Sequence, residues 1–382
     1  MRVGSLVFTT DQGLGVLAKS FHDHGVVTDV MTVAHGRRPE HPEWYPGAPR
    51  LTDLRAPSQR SAARAFCRSV DAMLFFETPF MWDLFPFCRE HGVRTYLMPM
   101  HECMPTQLPE RPDVMLCPSP LDLRLYVADY LRPQAEKGPL PFLPWDGSIP
   151  GTPAYLTPVP VDTDRIKWRR RETAEVFVHN AGHGGLKGRN GTHELVTALR
   201  YVKSPVKLIL RAQDRPCGEL LTYSTILHIG KVTVDYRYGT CPADELYSEG
   251  DVFLFPEKFN GLSLPLQEAR AAGMLVMCGD RFPMNAWLPR RWSPPPPVGD
   301  NDWADLEPEW EPLIPVRSYR KGRVSPRCNE YDEAVFDPRD VAAKIDEWYG
   351  RDVSAYSNSG LEWARSMSWE VLGPKYKEVL GG

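Results

Sequence analysis

The sequence predicts an α/β protein made of two doubly wound halves that face one another across a cleft. Three observations carry this reading. Apolar, β-branched runs alternate with helical stretches from Arg2 to Cys117, the pattern stops over residues 132–160, where eight prolines fall, and a second alternating series begins at Val176. Alternating strands and helices imply parallel sheets covered on both faces, and proline at that density forbids interior helix or central strand.

Each element has its own signal. Arg2 to Phe8 reads as a strand, followed by a turn with Gly13 and Gly15, a helix to about His24 and a second strand from Val26 to Val33, a βαβ beginning. DAMLFF (71–76), a helical stretch ending at His91–Gly92, VRTYLM (93–98) and Val114 to Cys117 continue the series. The second half carries strands at Val176 to His179, Val206 to Leu210, Ile226 to Ile229, Val252 to Phe255 and Leu275 to Cys278, with a helix near Thr192 to Tyr201. A second proline-rich stretch runs from Pro283 to Pro315, with PPPP at 294–297, and helix-like segments close the chain at Val341 to Trp348 and Gly360 to Leu380. This divides the chain into a first domain (1–160), a second (161–360, with a proline-rich insertion at 283–327) and a closing helix (361–382).

Composition bounds the function. With 382 residues, 25% charged and 42% hydrophobic, the chain can bury two or three cores, which excludes disorder throughout. No apolar run approaches the ~18 residues of a membrane span, and the start has no cleavage pattern, so a cytoplasmic protein without a span is expected. Eight cysteines without a CxxC pair read as reduced and mostly buried. A net charge of −4 argues against coating nucleic acid through net charge.

The most informative stretch is DVFLFPEKFNGLSLPLQEARAAG, Asp251 to Gly273. A buried strand runs into a loop with Asn260 and Gly261, and a helix then opens around Ser263 and Pro265, holds Glu268 in its first turns and stops at Gly273. A helix N-terminus directed at a cleft favours negative charge through free N–H groups and the helix dipole. A diphosphate suits it.

FNGLSLPLQEARAAG resembles the signature of retaining GT-B glycosyltransferases of family 4, in which two glutamates are separated by seven residues. The resemblance extends to FTTDQGLGVLAKSFHDHG (8–25), VRTYLMPMHE (93–102), PDVMLCPS (112–119), PVPVDTDRI (158–166) and GLEWARSMSWEVLGPKYKEVL (360–380), in the family's order, and the HNAGHGG…RNGT and DRFPMNAW stretches resemble phage-borne members. It implies a GT-B fold with C-terminal helices crossing back, and transfer of a sugar from a nucleoside diphosphate sugar, UDP-sugar favoured, with retention and no further cofactor or metal. Glu268 falls on the second glutamate and would accept hydrogen bonds from ribose hydroxyls, while amides of Gly261, Leu262, Ser263 and Leu264 would meet the phosphates and sugar. Asn260 stands at the first glutamate, a departure, since an amide carries no charge to stabilise an oxocarbenium ion. His101 would face the donor sugar, paired in sequence with Glu102 toward the acceptor. Gly13 and Gly15 fall on the family's N-terminal glycine loop.

The loop HNAGHGGLKGRNGT (179–192) follows the second half's first strand, so Gly184 and Gly185 let the backbone approach a pyrophosphate, with His183 beside it. In the family an Arg and a Lys here neutralise the diphosphate. Asn190 takes the usual Lys position, a second departure, leaving Lys187 and Arg189 to supply the charge.

Glu77, after DAMLFF, lines the acceptor side or is an N-cap or surface carboxylate. Asp162–Thr163–Asp164 reads as a metal motif by letter but sits in the crossover. Two basic runs, Arg165 to Arg171 and Arg317 to Arg327, are either solvated faces or a track for a phosphate backbone, with Trp168, Trp287, Trp292 and Tyr319 to stack on bases. The acceptor stays open between small molecule, glycan, protein and DNA, the last as glycosylation of hydroxymethylated bases. A rival reading, motivated by Asn190 and Asn260, is an inactive nucleotide-sugar binder.

Overall fold

The computed structural model describes residues 1–10, 13–36, 40–106, 108–119, 121–122, 154–182, 188–213, 223–239, 241, 245–288 and 312–381. The first domain contains β1 (Val3–Val7), α1 (Gly13–Asp23), β2 (Asp29–Val33), β3 (Arg50–Leu51), α2 (Pro57–Arg68), β4 (Ala72–Glu77), α3 (Leu84–Glu90), β5 (Arg94–Pro99), β6 (Val114–Cys117) and β7 (Ala154–Leu156). Its seven strands lie in the order β3-β2-β1-β4-β5-β6-β7, all parallel. Every residue of β1 and β6 is buried, which is why these strands read as continuous apolar runs rather than alternating ones.

The second domain follows with β8 (Val176–Gly182), α4 (Thr192–Ala198), β9 (Lys207–Ala212), β10 (Tyr223–Ile229), β11 (Val232–Tyr238), β12 (Val252–Phe255), α5 (Leu264–Ala271) and β13 (Leu275–Cys278). The sheet order is β10-β11-β9-β8-β12-β13. The sequence expects a wholly parallel sheet here, and the structure corrects this at the edge: β10 and β11 form an antiparallel hairpin. Strand β11 escapes the sequence reading because VTVDYRY carries Asp235 and Arg237 in its midst; the two pair with each other, and Arg237 also with Glu249.

A two-stranded antiparallel ribbon, β14 (Ser318–Arg323) and β15 (Glu330–Val335), precedes α6 (Pro338–Trp348), α7 (Ser354–Ser366) and α8 (Trp369–Gly381). The ribbon's turn binds the first domain: Asn329 N–H donates to the Met104 carbonyl (2.8 Å) and Thr106 N–H to that of Arg327 (3.2 Å). Helix α8 also crosses back. Trp369 Nε1 donates to Ser20 Oγ at 2.7 Å, the Tyr376 hydroxyl to the Thr157 carbonyl at 2.6 Å, and the Tyr96 hydroxyl to the Leu380 carbonyl at 3.0 Å. The rings of Trp369 and Tyr376 each meet Phe21 edge-on with centroids 4.9 Å apart, so the crossing helix is held by both apolar area and ring geometry.

Candidate active site

In each sheet the strand order reverses between two strands whose connections leave in opposite directions, β1 and β4 in the first and β8 and β12 in the second. Ligands of open α/β sheets bind at such switch points, beyond the carboxyl ends of the strands. The two switch points open on one cavity of about 320 Å³. Phe8 and Thr10 line it after β1, His35 after β2, Glu77 at the end of β4 and Met100 after β5, while Arg189, Leu262 and Leu264 face them from the second domain. Gly13 lines it too, and a side chain there would sit 3.8 Å from Leu264 Cδ1. Gly15 closes the turn from β1 into α1, where a Cβ would collide with the Thr10 carbonyl.

On the second domain, His183, Gly184, Gly185 and Lys187 lie outside the described residues. Arg189 Nη1 stands 3.0 Å from Oε1 of Glu102, a carboxylate that is 1% exposed. Asn190 is turned away from the cavity; its amide donates to the Ala181 carbonyl at 2.9 Å. Gly191 has a φ of 73°, and the Pro256 carbonyl occupies the space a Cβ would need. Buried His179 ties the loop ends together. Its Nδ1 lies 2.8 Å from the Leu254 carbonyl, so that nitrogen donates, and Nε2, 2.8 Å from Thr192 Oγ1, accepts. Burial pushes its pKa down to about 4.

The loop before α5 corrects the sequence reading. Asn260 does not reach the donor side: it is buried, its Oδ1 accepts the N–H groups of Leu262 (3.0 Å) and Ser263 (2.9 Å), and its Nδ2 donates to Glu257 Oε1 at 2.7 Å. Two of the amides expected to meet phosphate are therefore already bonded within the loop. The physical reason is that an amide offers an acceptor and a donor at once, which this turn uses on both sides. Ser263, at a φ of 52°, donates its hydroxyl to Glu257 Oε2 at 2.9 Å. Glu257 is the residue that sequence reasoning missed. It is 1% exposed, and burial raises its pKa to about 7 against the pull of Arg189. The available signal was an acid directly behind the buried strand VFLF, at its cleft end. Gly261 is packed against the first domain, since a Cβ there would lie 2.9 Å from Glu102 Oε2.

Glu268 is held by two partners that the sequence did not suggest. Arg165 pairs with its Oε1, and the Tyr247 hydroxyl donates to its Oε2 at 2.8 Å. These use two of the roughly four lone-pair sites of a carboxylate.

His101 is turned onto the ribbon rather than into the cavity. Its Nε2 lies 3.2 Å from the Glu330 carbonyl, and its N–H donates to Asp122 Oδ1 at 3.0 Å. The ring follows the ribbon because that carbonyl can only accept, which fixes Nε2 as the donor. Burial pushes Asp122 up to about 8. Glu77 has a φ of 60°, and its Oε1 accepts from the Cys103 thiol at 3.2 Å.

Several cations of the basic runs already have partners. Arg165 is spent on Glu268, Arg171 is buried and donates to the Tyr247 carbonyl (2.8 Å), and Asp162 Oδ1 accepts the N–H groups of Asp164 and Arg165, which makes the DxD letters a turn. Arg317 pairs with Asp340 (2.5 Å), Lys321 with Asp332 (2.8 Å) and Arg323 with Glu330 (3.4 Å). Trp168 donates Nε1 to the Ser357 carbonyl (2.9 Å), Trp287 is in the core, and Trp292 lies outside the described residues. The seven described cysteines are free thiols, four of them buried. Among the described residues no helix is long and apolar enough to cross a membrane.

No protein-family model and no curated protein sequence matches the chain. Solved structures do. The chain is similar to Anabaena HepE in complex with UDP (TM-score 0.59, 11% identity, 100% of both chains) and to sucrose-phosphate synthase from Thermosynechococcus elongatus (TM-score 0.53, 14% identity, 100% of both chains). It also matches the pneumococcal O-GlcNAc transferase GtfA in complex with UDP and GlcNAc (TM-score 0.48, 13% identity), covering 84% of this chain and 59% of that one. The fold is GT-B: two Rossmann-like domains facing a cleft, with a C-terminal helix crossing back.

Proposed function

We propose that this protein is a glycosyltransferase that moves a sugar from a nucleoside diphosphate sugar to an acceptor hydroxyl, with retention of anomeric configuration. One observation carries the proposal: both sheets open their switch points on a single cavity, and the guanidinium of Arg189 lines it from the second domain. In the reaction the bond between the anomeric carbon and the diphosphate oxygen breaks and its electron pair leaves with the diphosphate. The acceptor oxygen bonds the anomeric carbon, and its proton departs with the nucleoside diphosphate. Arg189, with Lys187, meets the negative charge that develops on the leaving group. Glu268, held by Arg165 and Tyr247, keeps lone pairs for the ribose hydroxyls. Structures of the same fold in complex with UDP and with UDP-glucose support a UDP-sugar as donor, and the sequence resemblance supports retention.

The rival, an inactive nucleotide-sugar binder, is motivated by Asn190 and Asn260, whose side chains bond within their own domain. A DNA acceptor has less support, because Arg317, Lys321 and Arg323 of the second basic run are paired with neighbouring acids. Incubation with a panel of UDP- and GDP-sugars tests the proposal, with donor consumption read by chromatography and anomeric configuration by NMR. Donor hydrolysis or transfer that is lost in Arg189→Ala is the expected result. Donor binding by calorimetry without any turnover on the panel would leave only the binder.

A further inference from the structure

Two buried arginines converge on one turn of the second domain, between β11 and β12. Arg171 is 2% exposed, has no acid paired with it among the described residues, and donates Nη2 to the Tyr247 carbonyl at 2.8 Å. Burial pushes its pKa down to about 10. Arg211, also buried, donates Nη1 to the Leu246 carbonyl at 3.1 Å. A buried cation without an acid is costly, and here it helps to fix two consecutive peptide groups. The side chain so fixed is Tyr247. It is buried, its ring meets Phe253 edge-on with centroids 5.8 Å apart, and its hydroxyl is the donor to Glu268 Oε2. Burial and the adjacent Glu268 hold the phenol well above its ordinary range, so it keeps the proton that it donates.

The other hold on Glu268 comes from a distant part of the chain. Arg165 lies in the crossover between the domains, at the end of the turn that Asp162, Thr163 and Asp164 make. Asp162 Oδ1 accepts the N–H groups of Asp164 and Arg165, both at 3.1 Å, and the Val161 N–H donates to the Met367 carbonyl at 2.7 Å, which pins the turn to the returning chain. A guanidinium fork matches both oxygens of a carboxylate at once. With Tyr247 on Oε2, Arg165 donates Nη2 to Oε1 alone. Each oxygen then keeps a lone pair whose direction is set by a different anchor. A cis diol presents two O–H donors side by side, which suits a carboxylate held in this way. A carboxylate gripped by both prongs of Arg165 would turn that edge onto the guanidinium instead.

We infer that Tyr247 and Arg165 are positioning residues for the donor's ribose, aiming the open lone pairs of Glu268 at its two hydroxyls, and that the Asp162 turn ties this grip to the interdomain crossover. The inference rests on the glycosyl-transfer reading above and deepens it. A binding group is selective only when other side chains lock its orientation. Here the lock is made by a tyrosine and an arginine, and both are removable without touching Glu268.

The experiment titrates the full chain with UDP and with 2′,3′-dideoxy-UDP by calorimetry, in the parent, in Tyr247→Phe and in Arg165→Met. The two nucleotides share base and diphosphate, so the ratio of their affinities reads the hydroxyl contacts. The parent is expected to bind UDP at least about tenfold more tightly than the dideoxy compound, the scale of a hydrogen bond to a charged group. In Tyr247→Phe, which keeps the ring, UDP affinity should fall about five- to tenfold while dideoxy-UDP stays within about twofold, so that the ratio collapses. Arg165→Met removes a charge as well and weakens both nucleotides, but the ratio falls with it, so this variant decides the matter should Tyr247→Phe fail to fold. A residue that only supports the fold would weaken both nucleotides equally. A ratio that stays at the parent's value in Tyr247→Phe or in Arg165→Met therefore overturns the inference. Equal affinities in the parent overturn it too, and leave the glycosyltransferase reading, judged by donor hydrolysis and transfer, standing. A parent that binds neither nucleotide overturns both.

Discussion

The Arg189 guanidinium lies 3.0 Å from the Glu102 carboxylate, an ion pair that joins the loop between β8 and α4 of one domain to the loop after β5 in the other. Glu102 is buried, and its second oxygen, Oε2, makes no hydrogen bond among the described residues. On the proposed function, a diphosphate entering the cavity would compete with Glu102 for the same cation. Neutralising the competitor in Glu102→Gln is expected to tighten UDP binding several-fold. Removing the cation in Arg189→Ala should weaken it about tenfold or more, the scale of a charge-assisted hydrogen bond. Calorimetric titration of UDP into both variants measures the two effects. Equal affinities in Glu102→Gln and the parent would mean that Arg189 does not exchange partners.

A pH dependence follows from two buried acids. Burial raises Glu257 to about 7 and Asp122 to about 8, against unfolded values of about 4. The folded state then holds protons that the unfolded state has released, so stability falls as pH rises. The contribution is fully present below about pH 4, and it is gone above about pH 7 for Glu257 and about pH 8 for Asp122. Asp122→Asn keeps an acceptor for the His101 N–H and a neighbour for the Ser119 hydroxyl. Its melting temperature should match the parent near pH 4 and exceed it near pH 9. Parallel melting curves for the two proteins across that range would remove Asp122 from the account.

How far the sequence spoke for this molecule depended on whether a residue's environment is set locally. Strands such as VFLF (β12) and AMLFFE (β4) are buried on both faces, so their apolar runs announced them. The β14–β15 ribbon did not, because its exposed faces alternate Arg320 and Lys321 with Glu333 and Asp332 across the ladder, and charge hid the strand period. In the cleft, Arg189, Gly13 and Glu77 follow directly from strand ends, and strand ends point at the cleft. Asn260 and His101 sit on equally good loops, but the direction of each side chain is decided elsewhere. Glu257 turns Asn260 inward, and the Glu330 carbonyl, far along the chain, takes the His101 ring.

Placing a glutamate at position 260 tests that account of Asn260. If the amide is part of the loop's interior, Asn260→Glu puts a second carboxylate against Glu257 and withdraws the donor that Glu257 Oε1 accepts. Loss of a buried hydrogen bond, with its partner left unsatisfied, costs about 1 to 3 kcal/mol. The variant should unfold at lower denaturant concentration and gain no transferase activity. Asn260→Asp, which keeps the acceptor for Leu262 and Ser263 but not the donor, should fall between. A faster enzyme in Asn260→Glu would return the residue to the donor side.

Gly261 supplies the sharpest check on how the two domains meet. A Cβ at this position would lie 2.9 Å from Glu102 Oε2, closer than real Cβ contacts come. The obstacle is the end of a side chain, but a buried one that is also paired with Arg189, so it yields only by straining that pair. Gly261→Ala should cost about 1 to 3 kcal/mol, the usual range for an overpacked site. Glu102→Ala removes the obstacle and, with it, the partner of Arg189. The double variant should therefore be more stable than the sum of the single losses by about 1 kcal/mol, beyond the 0.3–0.5 kcal/mol or so within which independent sites add. Chemical denaturation of the four proteins closes the cycle. Additivity would mean that Gly261 and Glu102 do not touch, and that the domains meet elsewhere along the cleft.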